Sequence, residues 1–258
     1  GGYYGMMLYG SSTGNRAQDF VIENNEMDAV GYYPIYVYYA DNLEINNNYA
    51  HDLGNSGAYG ARLYYTSDVT MNENEFIAGN YGMYAGYTDN AEFTNNIFQG
   101  NTGFYSFSSE DQTLFHNTFR GAISYGLYLR TNDTMDIRNN IISSTGARYS
   151  AYFSNGAPDN STIDYNLYYA DTASGGVVAY YSATQNWATL ADWKLGDSLI
   201  NMNSVEGEPM YYSATDARMF LGTAANDVGD NTVGVTVDID GDTRPYTSAG
   251  STVVDMGA

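Results

Sequence analysis

Seven times the chain sets an asparagine between apolar strand residues, and the spacing of these phrases restricts its fold more than any other feature. The phrases are "FVIENNEM", "LEINNNYA", "VTMNENEF", "AEFTNNIF", "LFHNTF", "MDIRNNIIS" and "IDYNLYY". Aligned on the last Asn of each, they give Asn25, Asn48, Asn74, Asn96, Asn117, Asn140 and Asn166, with steps of 23, 26, 22, 21, 23 and 26 residues. Three residues earlier stand Ile22, Ile45, Met71, Phe93, Leu114, Ile137 and Ile163. Two residues later stand Met27, Ala50, Phe76, Phe98, Phe119, Ile142 and Tyr168. A period of this length with fixed apolar columns marks a solenoid. The runs are short and β-like, with no helical periodicity and no leucine ladder, so a parallel β-helix fits. Each repeat is then one coil, stacked about 4.8 Å from the next. Equivalent Asn residues stack too, and their amides can bond one another as a ladder. Asn also tolerates the left-handed backbone of a tight turn between strands. The seven Asn are therefore expected to support the fold, not to form an active site.

A second strand per coil begins at a small residue or proline: "YGMMLY", "YPIYVYY", "YGARLYY", "YGMYAGY", "TGFYSFS", "YGLYLR" and "YSAYFS". Strand side chains alternate. Met6/Leu8, Ile35/Val37, Ala61/Leu63, Met83/Ala85, Phe104/Ser106, Leu127/Leu129 and Ala151/Phe153 should face inward. Tyr36/Tyr38, Arg62/Tyr64, Tyr84/Gly86, Tyr105/Phe107, Tyr128/Arg130 and Tyr152/Ser154 should face outward as an aromatic stripe holding two arginines.

Composition narrows the function. The 258 residues carry 30 acidic side chains against nine basic ones, a net charge of -21. Nucleic-acid binding needs cationic surface to displace counterions, so it is disfavoured, as is docking to anionic membranes. Cysteine is absent, which excludes a disulfide framework. No apolar run is long enough to form a membrane-spanning helix. The start, "GGYYGMML", reads as a processed product or a fragment.

The Asn-bearing coils resemble the right-handed parallel β-helix of the pectate-lyase-like superfamily. The tail, with its Trp-bearing "TLADWKLGD", Asp240–Gly241–Asp242, Arg244–Pro245 and Asp255–Met256–Gly257–Ala258, resembles the closing segment of secreted bacterial surface β-helix proteins. The two resemblances span nearly the whole chain. They imply export to the extracellular space or cell surface, including by type IX secretion. The superfamily mixes polysaccharide lyases, glycosidases, epimerases and adhesins, so the resemblance implies fold more narrowly than function.

Catalytic signatures are sparse. β-Helix lyases use a Lys or Arg base beside a uronate, often with Ca²⁺. Here the one Lys, Lys194, lies in the tail, and Arg62 and Arg130 are three coils apart, roughly 14 Å. The paired Asp motifs of β-helix galacturonases do not occur. His116 adjoins the Asn ladder and reads as a turn residue. His51 lies in "YAHDLGNSG", within reach of a catalytic role with Tyr64 or Arg62. An acidic residue precedes each Asn strand: Asp19, Asp41, Asp68, Asp89, Asp111, Asp133 and Asp159. Stacked carboxylates about 5 Å apart would repel by about 0.9 kcal/mol even in bulk water. Each Asp either caps its own turn or shares Ca²⁺ with its neighbours, with Asp68, Asp89 and Asp111 as the candidate ligands. "DIDGD" (238–242) lacks the closing Glu of an EF-hand and reads as a closing turn.

The expected architecture is all-β: a right-handed parallel β-helix of seven to eight coils over residues 1–182, closed by a capping segment with a short helix over 183–258. The expected function is non-catalytic binding of glycan or a protein partner, at the surface or secreted, through Tyr36, Arg62, Tyr64, Tyr84, Tyr105, Phe107, Tyr128 and Arg130. The gap at Gly86 is read as a seat for one sugar ring. The alternative is a lyase or glycosidase acting on acidic polysaccharide, with some catalytic coils outside this chain.

Overall fold

The structure is a computed structural model and describes residues 2–154, 160–182, 185–197, 199–213, 216, 218–219, 223–245 and 252–258. Strands stack in parallel as three faces of a β-solenoid. The first face is built from Tyr4–Tyr9, the opening halves of Tyr33–Asn46, Tyr59–Asn72 and Tyr81–Thr94, and the closing halves of Ile97–Phe107 and Thr118–Arg130. Tyr149–Phe153 and Val177–Ser182 extend it. On the second face Ile22, Ile45, Met71, Phe93, Leu114, Ile137 and Ile163 fall in one register column. The third aligns Met27, Ala50, Phe76, Phe98, Phe119, Ile142 and Tyr168. Both columns are those expected from the repeat. Their side chains fill the interior, where Phe76, Phe98 and Phe119 stack at 5.8 and 6.2 Å.

About six coils are regular, slightly fewer than expected. Beyond Tyr149–Phe153 the first face ends in Val177–Ser182, which pairs onward with the antiparallel Gln185–Trp187. Helix α1 (Leu190–Gly196) then plugs the open end. Thr189 caps it by accepting the Asp192 N–H at 3.1 Å. Its fully buried Trp193 packs on Phe153, Tyr168 and Trp187 at 5.8, 5.3 and 5.5 Å. Lys194 donates to the carbonyls of Ser204 and Met202 at 2.7 and 3.1 Å. From there the tail runs back along the solenoid. Tyr211 meets the Ser143 hydroxyl at 2.8 Å, Asp230 pairs with Arg138 at 2.8 Å, and the Val237 carbonyl accepts from Asn95 at 2.9 Å.

The asparagine ladder is continuous and its central members are buried. Asn96 Oδ1 accepts the backbone N–H and the Nδ2 of Asn74 at 3.0 and 2.9 Å. Its own Nδ2 faces the carbonyls of Met71 and Thr94 at 2.9 and 3.0 Å and Asn117 Oδ1 at 3.0 Å. The same pattern runs from Asn25 to Asn166, where the Ser204 hydroxyl takes the last N–H at 3.0 Å. The left-handed residue of each turn is the one before the ladder Asn, contrary to the sequence expectation. Asn24, Asn47, Glu73, Asn95, His116, Asn139 and Tyr165 have φ between 52° and 61°. The ladder Asn serves through its amide alone, and its neighbour carries the backbone strain.

His116 fills one of those left-handed positions and is fully buried. Its Nε2 accepts from Asn139 Nδ2 at 2.9 Å. Burial and the nearby Arg244 guanidinium hold its pKa well below the ordinary histidine range, against the smaller opposing effects of the Asp255 and Gly257 carbonyls and the Asp230 carboxylate.

Asn96→Leu should cost about 3 kcal/mol or more, because it strips donors and acceptors from buried groups on both neighbouring coils. Urea unfolding identical to the parent would refute the ladder's role. For His116, the unfolded chain takes up a proton as pH falls through about 6.5 while the folded chain does not, so folding is progressively weakened below that pH. His116→Asn installs the residue used at this position in other coils. Its melting temperature should fall less than the parent's between pH 7 and 5.5. Equal slopes would mean that His116 titrates normally.

Candidate binding face

Three tyrosine columns cover the first face because the repeat places Tyr at alternate positions of one strand, one coil spacing apart. The first column includes Tyr4, Tyr33, Tyr59 and Tyr81, and after Thr102 resumes at Tyr125 and Tyr149. In the second, Tyr84, Tyr105, Tyr128, Tyr152 and Tyr180 follow at centroid spacings of 5.1, 4.6, 4.8 and 4.5 Å. The third holds Tyr9, Tyr38 and Tyr64, flanked at the corner by Tyr39, Tyr65 and Tyr87 in left-handed backbone. Most of these rings are half-buried against one another, so the stripe is a continuous aromatic sheet surface.

Arg62 stands inside this surface. Its guanidinium carbon lies 5.1–6.0 Å from the ring centres of Tyr33, Tyr36, Tyr59, Tyr64 and Tyr84, within cation–π range. Its Nη1 donates weakly to the Tyr33 hydroxyl at 3.4 Å, while its Nε is buried without a hydrogen-bond partner. Arg130 lies beside the Tyr105 hydroxyl farther along the face. Arg148, which the sequence reading passed over, lies beside the Tyr125 hydroxyl. Among the described residues no carboxylate pairs with any of the three; elsewhere Arg16, Arg138 and Arg218 have a carboxylate partner, while Arg120 and Arg244 donate to backbone carbonyls of the tail. The strand segments on this face contain no Asp or Glu, in a chain of net charge -21. That gap was readable from the sequence, as was an Arg directly before "YSAYF". Burial raises the pKa of Tyr33, Tyr36 and Tyr84 and lifts Tyr59 to about 12, so these hydroxyls remain protonated donors.

Two expectations for this face fail. Tyr105 is only 8% exposed, wedged among Tyr81, Tyr84, Phe107 and Tyr128. The Gly86 position is no seat for a sugar ring. The Phe107 ring swings over it, and a β-carbon there would collide with that ring and crowd Tyr64. Tyr36, Tyr64, Tyr84, Phe107 and Tyr128 stay half-buried, and Arg130 is exposed.

The acidic residues do not form one column. Register places Asp41, Ser67 and Asp89 together, with Glu110 and Asp133 beyond. Asp19, Asn42, Asp68, Asn90, Asp111, Thr134 and Asn160 instead share the left-handed corner next to it. Within that corner Asp and Asn alternate: Asn42 donates to Asp19, and Asn90 donates to Asp68. Alternation replaces repulsion between neighbouring carboxylates with hydrogen bonds. Asp68 and Asp111 are thus two coils apart, roughly 10 Å, while Asp89 accepts the Glu110 N–H at 2.9 Å in the other column. Asp159 lies outside the described residues. His51, on the third face, is remote from Arg62 and Tyr64; its ring nitrogens contact Glu26 and Asp52 at 3.2 and 3.0 Å.

Tyr105→Ala should cost about 3 kcal/mol, as for a buried aromatic, whereas Tyr36→Ala should stay within about 1 kcal/mol. Equal losses in urea unfolding would contradict this division of the stripe.

Comparison with curated proteins yields no match. Among solved structures, the A-module of the mannuronan C-5 epimerase AlgE6 from Azotobacter vinelandii is similar, with a TM-score of 0.51 and 13% identity. The alignment covers 75% of this chain and 59% of that one, and at this identity the likeness is one of fold. A family model described as the right handed beta helix region matches residues 1–121 and, overlapping them, 53–190. With most of its length matched, the chain belongs to the right-handed β-helix family.

Proposed function

We propose that this is an extracellular or cell-surface β-helix protein that binds an anionic glycan on its tyrosine face without transforming it. One observation carries the reading: among the described residues Arg62 and Arg130, on strand segments free of Asp and Glu, and Arg148, just ahead of such a segment, have no carboxylate partner, in a strongly acidic chain. An unpaired guanidinium among aromatic rings is a suitable receptor for a carboxylate or sulfate. Tyrosine adds flat apolar area for sugar rings and a hydroxyl at the rim, with few rotors to immobilise. The acidic remainder of the surface repels a polyanion, which confines binding to this face.

The similarity to an epimerase module favours a second reading, lyase or hydrolase chemistry on an acidic polysaccharide. Lyase chemistry needs a proton acceptor near the bound uronate. Around Arg62 the Tyr33, Tyr36, Tyr59 and Tyr84 hydroxyls have raised pKa values, which supports binding over turnover.

Titration calorimetry with polygalacturonate, alginate and neutral dextran tests the proposal. The acidic polymers should bind, more weakly as salt rises, and dextran should not. Arg62→Ala should weaken the acidic ligands by about 1–2 kcal/mol, roughly tenfold. Equal binding of all three polymers, or an unaffected Arg62→Ala variant, would overturn it. Formation of unsaturated uronate or new reducing ends would favour the enzymatic reading.

A further inference from the structure

On the third face, opposite in chemistry to the tyrosine stripe, two neighbouring coils bring Asp28 and His51 into register. Asp52, the next residue, takes a left-handed backbone with φ 47° and turns its carboxylate back to His51 Nδ1 at 3.0 Å. The other ring nitrogen faces Glu26 Oε1 at 3.2 Å. Tyr49 stacks on the imidazole, with centroids 4.3 Å apart and planes 23° apart, and fixes the ring. One donor atom each from Asp28, His51 and Asp52 lie within 4.8 Å of one another. Among the described residues no Arg or Lys pairs with Glu26, Asp28 or Asp52, so the imidazole is the one basic group among three carboxylates.

We propose that Asp28, His51 and Asp52 form a binding site for a first-row divalent transition ion, with Glu26 adjoining it. The donor set decides the class of ion. An imidazole nitrogen with carboxylate oxygens suits Zn²⁺, Mn²⁺ or Ni²⁺. Ca²⁺ takes six to eight oxygen donors, more than this corner offers. Sheet register fixes Asp28 and His51 one coil apart, and the exposed carboxylates of Asp28 and Asp52 are free to close the remaining distance. His51 Nδ1 and Nε2 now meet Asp52 and Glu26 on opposite sides of the ring; a metal ion shared with Asp28 and Asp52 replaces the hydrogen bond at one ring nitrogen and takes His51 as a neutral ligand, while the other nitrogen stays with its own partner. The site shares no residue with the tyrosine face, and its test is independent of glycan binding.

The chain has two histidines, so nitrogen-15-labelled imidazoles report on each separately. ZnCl₂ added to the whole protein should shift the His51 resonances and leave buried His116 unmoved. MnCl₂ should broaden His51 selectively, and CaCl₂ should do neither. Saturating Zn²⁺ should raise the melting temperature by a few degrees. Asp28→Asn and Asp52→Asn, both exposed changes whose folding circular dichroism can check, should each weaken Zn²⁺ at least tenfold. Unmoved His51 resonances at millimolar Zn²⁺, or undiminished affinity in both variants, would overturn the site.

Discussion

Every coil lies one strand spacing above the last, so every side chain meets its own equivalent, and the molecule depends on which residue types tolerate that stacking. Asparagine does, because its amide donates on one side and accepts on the other. The ladder from Asn25 to Asn166 therefore satisfies, deep inside the solenoid, backbone groups that no strand reaches. Phenylalanine stacks on itself at Phe76, Phe98 and Phe119. Carboxylates repel one another when stacked, so the corner of Asp19, Asn42, Asp68 and Asn90 interleaves amides between them, while in the neighbouring column Asp89, Glu110 and Asp133 follow one another and Asp89 accepts the Glu110 N–H.

The same constraint divides the surface. One face carries only aromatic, small and apolar side chains and a few arginines, while the acidic residues are displaced to the corners and the other two faces. A guanidinium stacked among tyrosines remains charged, because its pKa is far above neutrality even when half-buried. The contrast between a cationic aromatic face and an acidic remainder is set by position within the coil, and it separates the two ligand classes proposed here: anionic glycan on the tyrosine face, divalent cation on the third.

An open solenoid end exposes both backbone and core. At the C-terminal end Trp193 closes the interior and Ser204 closes the ladder. The returning tail then spends its polar groups on the turn column, through Asp230 with Arg138 and Asn139 and through Gly257 with Asn139. That column includes buried His116, whose imidazole feels the charge of Arg244.

The sequence alone determined the coils, their three-residue and two-residue apolar columns about Asn25 to Asn166, and the outward tyrosines, because strand alternation and a near-constant repeat fix which residues stack and which way they point. It also held the absence of acid from the tyrosine strands. Other features depended on tertiary structure. Whether Asn95 or Asn96 takes the left-handed backbone is a choice between adjacent dihedral angles that residue type leaves open. Whether Asp68 faces Asp89 or Asn90 turns on a one-residue register, which repeats of uneven length do not specify. The filling of the Gly86 gap depends on the rotamer of Phe107, one coil away. The meeting of Asp28, His51 and Asp52 likewise requires residues of two different coils to be superposed in space, and only the closed stack of strands does that.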